Sequence, residues 1–129
     1  MNSEITPAAI APTAANYAHA VVVEAPGRLL HTSGIVPIAP DGSVPEQIVD
    51  QAATVWANIV AILAAADFAT SDVVSVTTYV LATEIGSLGA VMSARDRALD
   101  GHRAASTLVT VPLLARPEWK MEIAVVAAR

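Results

Sequence analysis

The sequence predicts one α+β domain in which two helices cover one face of a mixed sheet. Two stretches carry apolar residues at three- and four-residue spacing, and short runs rich in β-branched residues lie before, between and after them. The predicted order over 129 residues is β-β-α-β-α-β-β. No connection is long enough to divide the chain, so residues 1–129 are expected to form a single two-layer domain.

The N-terminal third predicts a hairpin. Residues 1–16 hold two prolines and several small side chains, which favours an irregular lead-in. Residues 17–23 and 28–32 are strand-like and flank a turn with Pro26 and Gly27. A Gly at position 34 lets the backbone bend or approach a ligand closely.

Two helices are predicted. Ser43 and Glu46 fit a capping box, so the first helix is expected to begin there and to run to about residue 66. Its apolar stripe comprises Ile48, Ala52, Val55, Trp56, Ile59, Val60 and Leu63. The second helix, residues 84–99, has a thinner apolar stripe and two internal glycines, with Gly101 as its expected C-terminal cap.

Three strands complete the predicted sheet. Residues 73–81 are apolar on both faces and predict a central strand, while residues 106–111 and 120–126 predict two further strands. In the last strand, alternation places Met121 and Ile123 on one face and Glu122 on the other. The carboxylate of Glu122 therefore lies either on a solvated face or in a cleft.

Composition narrows the classes of function. With no Cys, disulfides and thiolate chemistry are excluded. Twelve acidic against seven basic residues give a net charge of −5, which argues against nucleic acid as a partner. We expect a cytoplasmic protein without a membrane partner, because no apolar run has the length of a membrane span and the N-terminus lacks signal-peptide features. His19, His31 and His102 show no metal-ligand spacing, so neither a metal nor another cofactor is expected.

Beyond these patterns, the sequence resembles a known family over nearly its whole length. The residues that carry the resemblance are Pro7-Ala8-Ala9-Ile10, Tyr17-Ala18-His19-Ala20-Val21, Leu30-His31-Thr32-Ser33-Gly34, Asn58, Asp72-Val73-Val74 and Pro117-Glu118-Trp119-Lys120-Met121-Glu122-Ile123. In this order they resemble the RidA (YjgF, reactive intermediate deaminase) family. The resemblance implies a chorismate-mutase-like fold and a homotrimer with small-molecule clefts between subunits. A ring of subunits would also cover the sheet face that the helices leave open.

The resemblance also implies site residues. Glu122 matches the family's last-strand Glu, which helps water hydrolyse a reactive enamine or imine, and Tyr17 and Ser33 match two further cleft positions. The Arg that grips the substrate carboxylate in archetypal members is replaced by Ser106, and Arg103 lies three positions earlier. Ile35 and Met92 stand where a Gln and an Asn are expected.

Two functions remain open from the sequence. The first is a hydrolase that acts on an imine, an enamine or a similarly activated bond, with Glu122 activating water. Its substrate would differ from the archetypal 2-aminoacrylate, because a Ser hydroxyl cannot replace the bidentate carboxylate contact of an Arg. The alternative is a non-catalytic module that binds a small metabolite or serves as a pathway accessory.

Overall fold

The computed structural model describes residues 2–129. The described chain holds six strands and two α-helices: β1 (Asn2–Ile5), β2 (Ala20–Val23), β3 (Leu29–His31), α1 (Ile48–Ala65), β4 (Val73–Leu81), α2 (Leu88–Ala98), β5 (Ala105–Val111) and β6 (Met121–Ala128). Two 3₁₀ turns, Thr70–Asp72 and Ala82–Ser87, precede β4 and α2.

Four strands form a mixed sheet in the order β3-β6-β4-β5. β6 is antiparallel to both β3 and β4, whereas β4 and β5 are parallel. The side chains of Val76 and Val80 join a buried cluster with α1 residues such as Val55 and Ile59, so both helices pack on that sheet face. We call this the helix face and the opposite one, which carries Thr77 and Tyr79, the open face. The predicted α+β sandwich is confirmed.

The predicted hairpin of residues 17–23 and 28–32 is wrong. β2 pairs instead with β1 in a separate two-stranded antiparallel sheet, in which Asn2 lies opposite Val23. β3 pairs with β6 at the edge of the main sheet. Residues 2–5 are therefore a strand and not part of an irregular lead-in. Strand-like composition shows that a segment is extended, but it does not identify the partner strand.

The helix starts also differ from the prediction. α1 begins at Ile48, because the Ser43 hydroxyl and N–H both donate to the Asp41 carboxylate and do not cap a helix. The predicted second helix opens as a 3₁₀ turn over Ala82–Ser87, and α2 starts only at Leu88. Gly86 and Gly89 lower the helix propensity of this segment.

The strand predictions near the C-terminus are confirmed, with small shifts in bounds. β4 has the predicted limits, β5 begins one residue earlier, and β6 begins at Met121 and continues to Ala128. Met121 and Ile123 are fully buried on the helix face, while Glu122 is half-buried on the open face. The predicted alternation of the last strand therefore holds.

α1 combines the length and apolar composition of a membrane span with the packing of a core helix. Its inward residues, including Trp56 and Leu63, pack against the sheet. Gln51 is fully buried in the same helix, and its Nε2 donates to the carbonyl oxygens of Pro45 and Glu118, each at 2.8 Å. Its Oε1 accepts from the Lys120 N–H at 2.8 Å, so this one side chain fixes the segment that enters β6.

Candidate functional site

Glu122 lies on the open face of the central strand β6. It is opposite Tyr79 of β4, and the next cross-strand residue on β5 is Val109. Cross-strand neighbours of this kind have Cβ atoms about 5 Å apart. The carboxylate therefore shares its surface with a phenol ring and an aliphatic side chain.

The backbone bulges beside Glu122. The Thr32 N–H donates to the Val125 carbonyl, and Ile35 exchanges backbone hydrogen bonds with Ile123. Between these two contacts the chain advances three residues, from 32 to 35, while β6 advances only two, from 123 to 125. One residue of the 33–34 segment is therefore an extra residue, as in a β-bulge. A Cβ built on Gly34 would overlap the Glu122 carboxylate, so the carboxylate rests directly on this Gly.

Ser33 belongs to the same bulge, and its side chain is exposed. The structure therefore brings Ser33 and Glu122, two of the predicted site residues, to one place. Lys120 lies two residues before Glu122, and its Nζ is 3.3 Å from Glu84 Oε1. Tyr79 and Lys120 were not among the predicted site residues. The register of β4 against β6 identifies Tyr79, and no sequence pattern reveals that register.

Ser106 lies on the opposite face of the sheet from Glu122. It pairs with Val76, a buried residue of the helix face. From α2, Arg95 Nη1 donates to Ser106 Oγ at 3.4 Å. The next residue, Thr107, pairs with Thr77 and therefore lies on the open face. Adjacent residues of a strand lie on opposite faces of the sheet, so Thr107, and not Ser106, lies on the same face as Glu122.

Tyr17 and Arg103 form a second group at the other end of β5. The Arg103 side chain donates to the Tyr17 carbonyl and to Thr13 Oγ1, and its Nη2 is 3.1 Å from Glu4 Oε1. The N–H of Ala18 donates to the Ala104 carbonyl beside them. Within one chain this group lies well apart from Glu122.

The separation follows from the register of β4. Ala105, next to the second group, pairs with Ser75, whereas Glu122 pairs with Tyr79. Four residues along a strand span about 13 Å. One subunit therefore presents Glu122 and Ser33 in one place and Tyr17 and Arg103 in another.

Two of the histidines have backbone partners. His102 Nε2 is 2.7 Å from the Val73 carbonyl, and His19 Nε2 is 2.8 Å from the Ala11 carbonyl. Within residues 2–129, no three His, Cys, Asp or Glu side chains come together in a group that could hold a metal ion.

An apolar cavity of about 400 Å³ adjoins the bulge. It is lined by Gly34, Ile35, Val36, Ile38, Asn58, Ala61 and Ile62. The amide of Asn58 donates to the Ile38 carbonyl at 2.9 Å, which ties the loop after the bulge to α1. This hydrogen bond stabilises the loop that follows Gly34. The amide nitrogen of Asn58 is used by that contact, and the other side chains that line the cavity are aliphatic.

Comparisons with known proteins identify the relatives of this chain. A family model described as Endoribonuclease L-PSP matches residues 6–129. TdcF of Escherichia coli strain K12, named as a reactive intermediate deaminase, is 27% identical over 106 residues, which cover 80% of this chain and 81% of TdcF.

Two solved structures resemble the whole fold. YyfB of Yersinia pestis, from the conserved Rid protein family, has a TM-score of 0.90 and 29% identity, covering 99% of this chain and 98% of its own. The crystal structure of E. coli TdcF with bound serine has a TM-score of 0.72 and 27% identity, and the match covers 95% of this chain and 92% of the TdcF chain. Together with the family model, these similarities show that the chain belongs to the RidA family.

Proposed function

We propose that the protein is a RidA-like hydrolase that acts on a small imine or enamine, with Glu122 activating water. The observation that carries the proposal is the carboxylate of Glu122 resting on Gly34 in a backbone bulge on the open face. The reactive intermediate deaminase TdcF is a relative, and its structure holds serine. Both support a small polar molecule as the ligand.

The proposed step is hydrolysis of a C=N bond. Glu122 accepts a proton from water as the water oxygen bonds to the imine carbon, and the protonated carboxyl then donates to the nitrogen. This gives a carbinolamine, whose hydroxyl proton passes through Glu122 to the nitrogen as the C–N bond breaks and the C=O bond forms. Ammonia leaves and a carbonyl product remains, so one imine and one water give one carbonyl compound and one ammonia. The hydroxyls of Ser33 and Tyr79 are the neighbouring neutral hydrogen-bond donors.

We propose that the site is completed in a homotrimer. Tyr17 and Arg103 lie far from Glu122 within one chain, and a neighbouring subunit packed on the open face could supply the missing cleft wall. The open face is suited to this role because Leu81 and Val126 there are only half-buried. A monomeric mass in sedimentation equilibrium at micromolar concentration would contradict the trimer.

The open face of β5 supports a proposal for the substrate class. Thr107 and Val109 occupy positions there, and neither offers a charge to a carboxylate. A substrate carboxylate would lose a charge-assisted contact worth about 1.5–3 kcal/mol per hydrogen bond. We therefore propose an uncharged or differently anchored substrate and not 2-aminoacrylate. We propose no nucleic-acid partner, because the chain is acidic. We also predict a cytoplasmic location.

The test is ammonia release from freshly generated 2-aminoacrylate, from imines of neutral and basic amino acids, and from imines that carry no carboxylate. Wild type should release ammonia from at least one imine without a carboxylate, and Glu122→Gln should release none while unfolding within a few degrees of wild type. Thr107→Arg should gain activity on 2-aminoacrylate. Ser106→Arg is the matched control on the opposite face and should not gain it.

A non-catalytic binding module is the second candidate. The aliphatic residues Ile35 and Met92 at two expected polar positions favour it, together with the uncharged Thr107. In that case the imine panel gives no turnover by wild type, while calorimetry with stable carbonyl analogues still detects binding. Turnover that depends on Glu122 would dismiss this candidate.

A further inference from the structure

A second concave surface lies on the outside of the helix layer, between α1 and α2. It has a volume of about 460 Å³, within the range typical of small-molecule sites. Its lining residues are Ala53, Trp56, Ala57, Val60, Ala94, Arg97 and Ala98. We call it the helix groove. It is separated from Glu122 by the sheet, because the helices cover the face opposite to the open face.

The outer face of α1 is unusually apolar for a helix that packs on a sheet through its other side. Asp50 is the only charged residue among the eighteen of this helix. Val49 and Val60 are 51% and 39% exposed, and the groove residues Ala53 and Ala57 are exposed between them. An amphipathic helix normally places charged residues on this side. Core packing therefore does not account for the apolar surface.

One cation stands at the groove without a partner. The side chain of Arg97 is exposed and makes no hydrogen bond or ion pair with any residue from 2 to 129. The neighbouring carboxylate of Asp96 is already bound by Arg95, at 2.9 Å from its Nη2. In a chain of net charge −5, an unpaired guanidinium beside an apolar groove favours an anion with an apolar body.

We propose that the helix groove binds a small apolar monocarboxylate. The ligand carboxylate meets the Arg97 guanidinium, and its hydrocarbon body lies along Ala57 and Val60, over the edge of Trp56, which is only 3% exposed. Alanine walls leave room for a ring or a branched chain close to the helix backbones. The site is independent of the Glu122 chemistry and would bind its ligand in the intact protein with or without turnover.

Isothermal titration calorimetry of the intact protein tests the proposal, with 4-phenylbutyrate, 4-phenylbutanol and 4-phenylbutylamine as matched probes. The carboxylate should bind at one site per chain and more tightly than the alcohol or the amine. Trp56 should report the same binding curve through its fluorescence. Arg97→Gln should weaken binding of the carboxylate about 1.5- to fivefold, as expected for an exposed ion pair.

Three further variants locate the ligand. Ala57→Leu fills the groove with a good helix former and should reduce affinity, while Glu122→Gln and the exposed-Arg control Arg116→Gln should leave affinity unchanged. Equal binding of all three probes would overturn the proposal, and so would a loss of binding in Glu122→Gln but not in Arg97→Gln. Absence of carboxylate binding, together with self-association that Ala57→Leu abolishes, would assign the groove to a second copy of the chain and refute the proposal. Arg97→Gln changes an exposed residue and should leave the fold intact. It therefore still tests the proposal if Ala57→Leu fails to fold.

Discussion

Replacing Gln51 with Met should destabilise the fold strongly, although the two side chains are similar in size. Gln51 is fully buried and makes three hydrogen bonds to backbone groups, with Pro45, Glu118 and Lys120. At about 1 kcal/mol per hydrogen bond, the loss is about 3 kcal/mol. It becomes larger if the three backbone groups stay buried without partners, and the more apolar Met offsets a part of it.

Urea unfolding followed by far-UV circular dichroism measures this loss. Wild type, Gln51→Met and Gln47→Met should be compared at one protein concentration, because assembly makes the midpoint concentration-dependent. Gln47 precedes the same helix, is exposed and makes no capping hydrogen bond, so its replacement should change the free energy of unfolding by less than about 0.5 kcal/mol.

The urea unfolding curve of Gln51→Met tests whether the contacts of Gln51 stabilise the fold. A lower midpoint with an unchanged denaturant slope supports the loss of these contacts. A destabilisation below about 1 kcal/mol would refute the view that Gln51 fixes the entry to β6. Because that entry leads directly to Glu122, the variant should also lose ammonia-releasing activity at temperatures where it remains folded.

Three further predictions follow from single contacts. Gly34→Ala should displace the Glu122 side chain and abolish activity with little change in thermal midpoint, since the overlapping atoms belong to a flexible side chain; retained activity would contradict this. The Ser43 hydroxyl, followed by its N–H, holds the pKa of Asp41 below its ordinary 3.8, so the stabilisation is present above that value and is lost as pH falls through the lower folded pKa. Ser43→Ala should therefore raise the Asp41 pKa in an NMR titration, and an unchanged titration would count against the contact. Arg103→Gln removes the ion pair with Glu4 and should speed amide exchange in Ala20–Val23 more than in β4; equal protection in both proteins would show that the ion pair does not stabilise the two-stranded β1-β2 sheet.

The sheet and its buried face were predictable because their signal is periodic. Residues 73–81 and 120–126 alternate or run apolar over long stretches, and the structure keeps these strands. The first strands were mispaired because residues 17–23 and 28–32 carry the same strand signal whichever partner they choose. The pairing of Asn2–Ile5 with Ala20–Val23 depends on distant contacts such as Asn2 Nδ2 with the Ala128 carbonyl.

The candidate site was predictable in part for the same reason. Alternation alone assigned Glu122 to the face away from the core, and the structure agrees. Ser106 shows the limit, because an alignment uncertain by one residue cannot specify the face of a strand. Tyr79 was missed because cross-strand register is a property of two segments together. Arg103 is expected near a ligand, but its partners Glu4 and Thr13 lie 99 and 90 residues earlier in the chain.

The position of β6 has a consequence for biosynthesis. This strand lies between β3 and β4, although it is the last of the six to be synthesised. Until Ala128 has left the ribosome, β3 lacks its partner and one edge of β4 stays unpaired. Exposed strand edges and apolar faces are the usual starting points of aggregation in nascent chains. Slow translation of the last strand should therefore raise the demand for chaperones far more than slow translation of the first helix.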